Sequence, residues 1–90
     1  MFLVVSYDIP DDRRRTRLHN QLKGFGTRVQ YSVFECILDD AQWARLDLMV
    51  RRTINAKEDH VRYYRLCEAC VARIKTLGGA VTQALSTLVV

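Results

Sequence analysis

The apolar run near the start of the chain constrains the fold more than any other feature of the sequence. Residues 2–7 read Phe-Leu-Val-Val-Ser-Tyr, and the run ends at Asp8 and Pro10. A short apolar run bounded by turn residues is typical of a strand that is buried on both faces in the interior of a sheet. The sequence therefore predicts a central strand over residues 2–7, around which the other elements assemble.

The length of the chain limits that assembly to one domain. Ninety residues fall just below the ~100–200 residues typical of a domain, so we predict a single domain over residues 1–90. The 49% hydrophobic and 27% charged content is that of a globular protein and excludes disordered and fibrous classes.

The cysteines and the start of the sequence bear on the compartment. The chain has three cysteines, an odd number without the spacing of a disulfide framework. The first residues have neither the basic start of a signal peptide nor the length of a membrane span. We therefore expect a cytoplasmic protein with no membrane partner.

Two helices are predicted, each after a pair of aspartates. Asp11 and Asp12 can cap a helix over residues 12–23, and Asp39 and Asp40 can cap a second helix over residues 40–53. Both segments repeat apolar residues at helical spacing, so each helix buries one face.

The remaining segments resemble strands. Residues 27–38 alternate apolar and polar side chains but change phase near Ser32, which leaves one kinked strand or two short strands open. Residues 60–66 and 71–77 are predicted as further strands. The order of elements predicts an α+β sandwich, with two helices on one face of a mainly antiparallel sheet.

The last eleven residues form an apolar tail. Residues 80–90 carry no charge and include Leu85, Leu88, Val89 and Val90. A small monomer has little surface left to cover them. We predict that the tail contacts a second copy of the chain in a homodimer, as a strand added or exchanged at a sheet edge.

Asp8 is the first candidate for chemistry, because it ends a strand that should otherwise be apolar. Two structural roles compete: an Asx turn before Pro10, or an ion pair with Arg15. A single carboxylate provides few of the oxygen ligands that a hard cation such as Mg²⁺ needs. Two copies of Asp8 facing each other across a dimer axis would suffice.

An arginine cluster follows Asp8. Residues 13–28 hold six cations and no acid, and Arg matches phosphate oxygens in two-point contacts. A solvated charged face is the ordinary explanation, and phosphate binding without sequence readout is the functional one. The members considered for nucleic-acid binding are Arg13, Arg14, Arg15, Arg17 and Arg28. A right-handed crossover should bring the cluster close to Asp8.

Cys67 and Cys70 form an isolated C-x-x-C motif. Zinc needs four ligands, and the other candidates show no matching spacing. Two small, half-buried residues at a strand end are the favoured interpretation, and a redox pair is the alternative.

Several segments together resemble the small CRISPR-associated Cas2 family. They are Ser-Tyr-Asp-Ile at residues 6–9, Asp-Asp-Arg-Arg-Arg-Thr-Arg-Leu at 11–18, Gly-Thr-Arg-Val-Gln-Tyr-Ser-Val-Phe-Glu-Cys at 26–36, Val-Arg-Tyr-Tyr-Arg-Leu-Cys at 61–67 and Arg-Ile-Lys-Thr-Leu-Gly at 73–78. The similarity covers most of the chain in order, but residues 80–90 match no pattern of the family.

This resemblance implies a ferredoxin-like homodimer in which Asp8 is the catalytic residue and holds Mg²⁺ or Mn²⁺ between the subunits. It implies metal-dependent cleavage of RNA or DNA, and a role as the subunit that spans two copies of the Cas1 integrase during spacer acquisition. Tyr7, Arg15, Arg17, Arg28 and Phe34 match positions linked to activity or binding.

Two functions follow from the resemblance. In one, the dimer is a phosphodiesterase acting at Asp8. In the other, which we favour for the cellular role, it is a scaffold that holds double-stranded DNA, and possibly single-stranded RNA, with Asp8 catalytically idle.

Overall fold

The first strand lies in the interior of a four-stranded sheet. The computed structural model describes residues 1–78, and its sheet has the order β2-β3-β1-β4. The strands are β1 (Phe2–Asp8), β2 (Gly26–Gln30), β3 (Val33–Ile37) and β4 (His60–Leu66); the helices are α1 (Asp12–Leu22), α2 (Asp40–Thr53) and α3 (Glu68–Val71). β1 pairs antiparallel with β3 on one side and with β4 on the other. The predicted α+β fold with a central first strand is confirmed.

The core lies between one face of this sheet and the two long helices. β1 contributes Leu3, Val5 and Tyr7, which are all buried. The helical residues that complete the core are Leu18 and Leu22 from α1 and Leu46 and Val50 from α2. Both helices cover the same face of the sheet, as the order of elements in the sequence predicted.

Aspartates begin both helices. The Asp11 carboxylate accepts a hydrogen bond from the Arg14 amide at 2.9 Å. At α2, Asp39 accepts from the Gln42 amide at 2.7 Å while the Gln42 side chain accepts from the Asp39 amide at 2.8 Å. These reciprocal bonds satisfy amides that the helix itself leaves unpaired.

The opposite face of the sheet is more open than the sequence predicted. Val4 and Ser6 of β1 are only half-buried there and Asp8 is exposed, so burial of β1 on both faces was wrong. Glu35 of β3 shares this open face, because it pairs with Val4. Its side chain is buried, its Oε1 has no hydrogen-bond partner among the described residues, and burial raises its pKa.

The change of phase near Ser32 marks a tight hairpin. β2 and β3 pair antiparallel around a turn at Tyr31 and Ser32, and the register shifts between Arg28 and Gln30. An extra residue at such a bulge moves the following side chains to the other face of the sheet. Of the two alternatives that the sequence left open, the two short strands are therefore the ones that form, with an irregularity in β2 just before the turn.

Residues 71–77 do not form the predicted strand. Glu68–Val71 is a short helix, and residues 72–78 have no regular secondary structure. The apolar side chains Val71, Ile74 and Leu77 are three residues apart, so they do not keep the two-residue alternation that would place them on one face of a strand. The predicted tail at 80–90 lies outside the described residues.

The helices of the described part of the chain are short relative to a membrane span. None of those within residues 1–78 is long and apolar enough to cross a bilayer.

Gly26 is the position at which backbone contact leaves least room. A Cβ built there would lie 2.3 Å from the Glu35 carbonyl oxygen and 2.5 Å from the Cys36 Sγ. Gly26→Ala should therefore lower the free energy of unfolding by about 1–3 kcal/mol, measured by urea denaturation, because β2 must move away from β3.

Gly24→Ala is the matched control for that substitution. Its Cβ would meet only the Gln21 carbonyl oxygen, at 3.4 Å, so a change within about 0.5 kcal/mol is expected. Equal effects of the two substitutions would contradict the close packing at Gly26.

Candidate nucleic-acid interface

Asp8 is exposed at the end of β1, on the sheet face that the helices leave open. Tyr7 faces the helices, and side chains alternate along a strand, so Asp8 faces away from them. Its register partner on β4 is His60, and Ser6 pairs with Arg62 on the same face. Asp8 is therefore accessible and has polar neighbours across the strand.

Neither structural role considered for Asp8 is seen. The α1 cap is provided by Asp11, and Arg15 pairs with Asp12 and donates to the Ile9 carbonyl oxygen at 3.0 Å. Asp8 takes part in none of the side-chain hydrogen bonds or ion pairs found within residues 1–78. This leaves its carboxylate available to a ligand.

One chain does not build a metal site around Asp8. Within the described residues, no group of three or more His, Cys, Asp or Glu side chains could hold a metal ion. A hard cation that used Asp8 would need further oxygen ligands from a second copy, from water or from a phosphate.

The winding of α1 divides the arginine cluster between surfaces. Arg13 and Arg17 line a groove on the outer side of the helix, together with Asp12, Thr16, Asn20 and Gln21. Arg15 lies on the side that faces β2. Thr16 contributes to both surfaces, so it marks the boundary between them.

Arg14 does not belong to either surface, which corrects its assignment as a phosphate contact. Its Nε donates to the buried Asp59 carboxylate at 2.9 Å, and its guanidinium also pairs with Glu58. The sequence suggested a cluster without neutralising acids. These two acids lie 44 and 45 residues away along the chain, and only the fold brings them to α1.

Arg15 and Arg28 meet in a cleft between α1 and the β2–β3 hairpin. The cleft has a volume of about 300 Å³ and is lined by Tyr7, Arg15, Thr16, His19, Arg28, Tyr31 and Ser32. Two of these residues are cationic and none is acidic. Asp12 neutralises part of the charge of Arg15, whereas Arg28 has no ion pair among those found in residues 1–78.

Phe34 and Tyr7 support the cleft from below. Their rings stack with centroids 6.4 Å apart, and the His19 ring meets Phe34 edge-on at 5.4 Å. The Tyr7 hydroxyl donates to the Tyr31 carbonyl oxygen at 3.4 Å, and the Tyr7 amide donates to the Ser32 carbonyl oxygen at 3.0 Å. Phe34 is buried, so it contributes to the cleft only through its packing against Tyr7 and His19.

The electrostatics of the cleft favour an anion held by arginine. Burial lowers the pKa of His19, and the charges of Lys23 and Arg28 lower it further. His19 is therefore neutral at pH 7. Burial also raises the pKa of Tyr7, although Arg28 and Arg15 partly oppose that effect, so its hydroxyl keeps the proton that it donates to the Tyr31 carbonyl oxygen.

The sequence missed His19 and Tyr31 as members of this site. His19 lies four residues after Arg15, a spacing that places both on one side of a helix, and this signal could have identified it. Tyr31 gave no such signal. Its position at the tip of the hairpin, where it is 91% exposed, became evident only from the fold.

Comparison with known proteins gives a consistent result. The family model for CRISPR associated protein Cas2 matches residues 1–74. A curated relative from Chloroflexus aurantiacus, CRISPR-associated endoribonuclease Cas2 3, is 46% identical over 82 residues, covering 91% of this chain and 88% of the relative.

Solved structures share the fold. Streptococcus pyogenes Cas2 at pH 6.5 superposes with a TM-score of 0.77 at 30% identity, covering 87% of this chain and 100% of that one. A chain of a partial Cas6-RT-Cas1–Cas2 complex gives a TM-score of 0.74 at 24% identity, covering 84% and 83% of the two chains. At that identity the second similarity supports the fold alone.

The Arg14–Asp59 pair predicts how stability depends on pH. The hydrogen bond from Arg14 holds the pKa of Asp59 below its ordinary value of 3.8. Folding is therefore stabilised above that pH, and this stabilisation is lost as the pH falls through the lowered pKa. Asp59→Asn should lower the Tm at pH 7, and its difference from the wild type should shrink below about pH 4.

Thermal unfolding between pH 7 and pH 2 measures this effect. Glu58→Gln is the control, because Glu58 pairs with the same arginine but its side chain is 52% exposed, and exposed ion pairs contribute little. A difference between Asp59→Asn and the wild type that stays constant over the whole pH range would contradict the assignment.

Proposed function

Because this chain belongs to the CRISPR-associated Cas2 family, we propose that it is a homodimeric nucleic-acid-binding subunit of a CRISPR system. The observation that carries the proposal is the cleft between α1 and the β2–β3 hairpin, which contains two arginines and no acid. Phosphate oxygens are the ligands that this arrangement fits best.

Binding of this kind recognises the backbone rather than the bases. Arg15 and Arg28 supply the charge in the cleft, and Arg13 and Arg17 extend a basic surface along the outer side of α1. Phosphate contacts fix the position of a strand without reading its sequence. Double-stranded DNA and single-stranded RNA both offer this backbone charge, and we propose double-stranded DNA as the ligand.

A second copy of the chain gives the proposed subunit its full surface. β4 is an outer strand of the sheet formed by residues 1–78, so one of its edges is open to a further strand. The apolar residues 80–90 supply a segment suited to strand addition in a dimer. Pairing of two chains would double the net charge of +4 per chain presented to nucleic acid.

Cleavage of the backbone is the catalytic part of the proposal. The Chloroflexus aurantiacus relative is described as an endoribonuclease, and Asp8 is accessible with no partner among the described residues. In a dimer, Asp8 from each chain would hold Mg²⁺ or Mn²⁺. When bound, such a metal would stabilise charge on the phosphate and activate water, while Arg15 and Arg28 would contact the backbone away from the reacting phosphate.

A non-catalytic scaffold is the second candidate. Asp8 and the cleft face opposite sides of the sheet, so one chain does not place its phosphate contacts beside its own carboxylate. The arginine surfaces could then hold a duplex against a Cas1 integrase while Asp8 stays catalytically idle. This role requires the same dimer and the same cations.

Binding of a 20-base-pair duplex over a range of NaCl concentrations tests the cleft. Arg28→Gln should weaken binding and reduce the slope of log affinity against log salt by about 0.9 for each phosphate that the variant no longer neutralises. Fluorescence anisotropy measures both quantities.

Arg52→Gln is the matched control for the binding experiment. Arg52 is an exposed cation near the end of α2, so its substitution removes the same charge elsewhere. If the two variants have equal slopes, net charge alone explains binding and the cleft does not contact phosphate.

Cleavage of short RNA and duplex DNA in Mg²⁺ or Mn²⁺ tests the catalytic part. Asp8→Ala should reduce the rate at least about a hundredfold, and Asp40→Asn should leave it unchanged. Light scattering of the same samples should show a dimer.

The outcomes of that assay separate the two candidates. If Asp8→Ala cuts as fast as the wild type, Asp8 is not the catalytic residue. If no protein sample cleaves nucleic acid but the duplex binds at the cleft, the result supports the scaffold role and contradicts the nuclease activity. A monomer at micromolar concentration would contradict both.

A further inference from the structure

The C-x-x-C motif occupies the junction between β4 and α3. Cys67 is the N-cap residue of α3, and Cys70 is the third residue of that helix. Both are exposed, whereas Cys36 is buried. The expectation of two half-buried residues at a strand end was therefore wrong, because the chain turns into a helix directly after Leu66.

The backbone places the two sulfurs on one side of a single helical turn. The Val71 amide donates to the Cys67 carbonyl oxygen at 2.9 Å, which closes the turn around both cysteines. Residues three apart in a helix have Cα atoms about 5 Å apart. This separation falls within the range of roughly 4.4–6.8 Å that a disulfide spans.

The two thiols differ in the direction in which their surroundings shift the pKa. The Cys67 side chain does not cap α3 with a hydrogen bond. The nearby backbone amide of Cys70 nevertheless stabilises the Cys67 thiolate and lowers the pKa of Cys67, and the Cys70 thiol adds to this effect. The hydrogen bond between the two thiols, together with the charge of Cys67, raises the pKa of Cys70. Burial, together with the charge of Glu35, raises the pKa of Cys36 to about 11, so the third cysteine is both covered and protonated.

We propose that Cys67 and Cys70 form a reversible thiol–disulfide pair that reacts with low-molecular-weight disulfides such as oxidised glutathione. The proposal rests on the spacing and exposure of the two cysteines and is independent of nucleic-acid binding. Intracellular disulfides are usually transient, so the pair would respond to the redox state of its surroundings.

The exchange proceeds in two balanced steps. The Cys67 thiolate attacks one sulfur of the oxidised glutathione, which breaks the glutathione disulfide, forms a mixed disulfide and releases one glutathione thiolate that takes up a proton. The Cys70 thiol then loses its proton, and its sulfur attacks the Cys67 sulfur and displaces the second glutathione. Two protein thiols are oxidised and one glutathione disulfide is reduced to two thiols.

Oxidation would fix the conformation of the first turn of α3. This turn borders an apolar hollow lined by Met1, Phe2, Ile37, Leu66 and Val71, among others. A disulfide there would hold the chain where it leaves β4 toward residues 72–78. The reaction does not require the hollow to open, because both sulfurs are already exposed.

Titration of the full-length reduced protein with oxidised glutathione tests the proposal. Free thiols, counted after denaturation, should fall from three to one, and the intact mass should fall by two hydrogen atoms without a glutathione adduct. Peptide mapping should join Cys67 to Cys70, and dithiothreitol should restore both thiols.

Single substitutions identify the role of each cysteine. Cys70→Ser should stop at a glutathione adduct on Cys67, and Cys67→Ser should react more slowly with iodoacetamide at pH 7. Cys36→Ser should lose both of its remaining thiols, just as the wild type loses two of its three. Circular dichroism confirms that each variant is folded.

Three results would overturn the proposal: retention of all three thiols, stable adducts on both exposed cysteines without a crosslink, or a disulfide only between chains on a non-reducing gel. The wild-type protein alone distinguishes these results, so the test does not depend on any variant folding.

Discussion

Pairing of β1 on both edges is the interaction on which the rest of the molecule depends. Hydrogen bonds join its residues to β3 and to β4. Its buried side chains form part of the surface against which α1 and α2 pack. The same alternation that buries Tyr7 exposes Asp8. One strand therefore supplies the core, the base of the arginine cleft and the accessible carboxylate.

The charges around α1 serve different purposes although they are adjacent in the sequence. Arg14 is held by Asp59 and Glu58, so it fixes the loop before β4 to the helix. Arg13 and Arg17 remain on the outer groove, and Arg15 turns toward Arg28. A basic cluster in a sequence is thus not one surface, because successive residues of a helix differ by about 100° in direction.

Local patterns in the sequence predicted most of the fold. The predicted bounds of α2, residues 40–53, agree with the structure, and the apolar run at residues 2–7 correctly predicted the interior strand. Both predictions succeeded because helix capping and apolar spacing depend on residues that are close together in the sequence. The strand at residues 71–77 was wrong because a short apolar segment suits a helical turn as well as a strand. The partners of Arg14 and the exposure of Cys67 depend on contacts between distant segments, and a single sequence does not show these. Asp8 was identified as a candidate for chemistry, but its position on the face opposite the cleft became evident only from the folded sheet.

Tyr7 connects the interior of the protein to the rim of the cleft. Its ring is only 4% exposed and stacks on Phe34, while its hydroxyl and its amide bond to the carbonyl oxygens of Tyr31 and Ser32. The hairpin tip is consequently anchored to packed side chains before any ligand arrives. If a phosphate binds in the cleft as proposed, the backbone at Tyr31 and Ser32 is already held by these bonds, so it would lose little conformational entropy on binding.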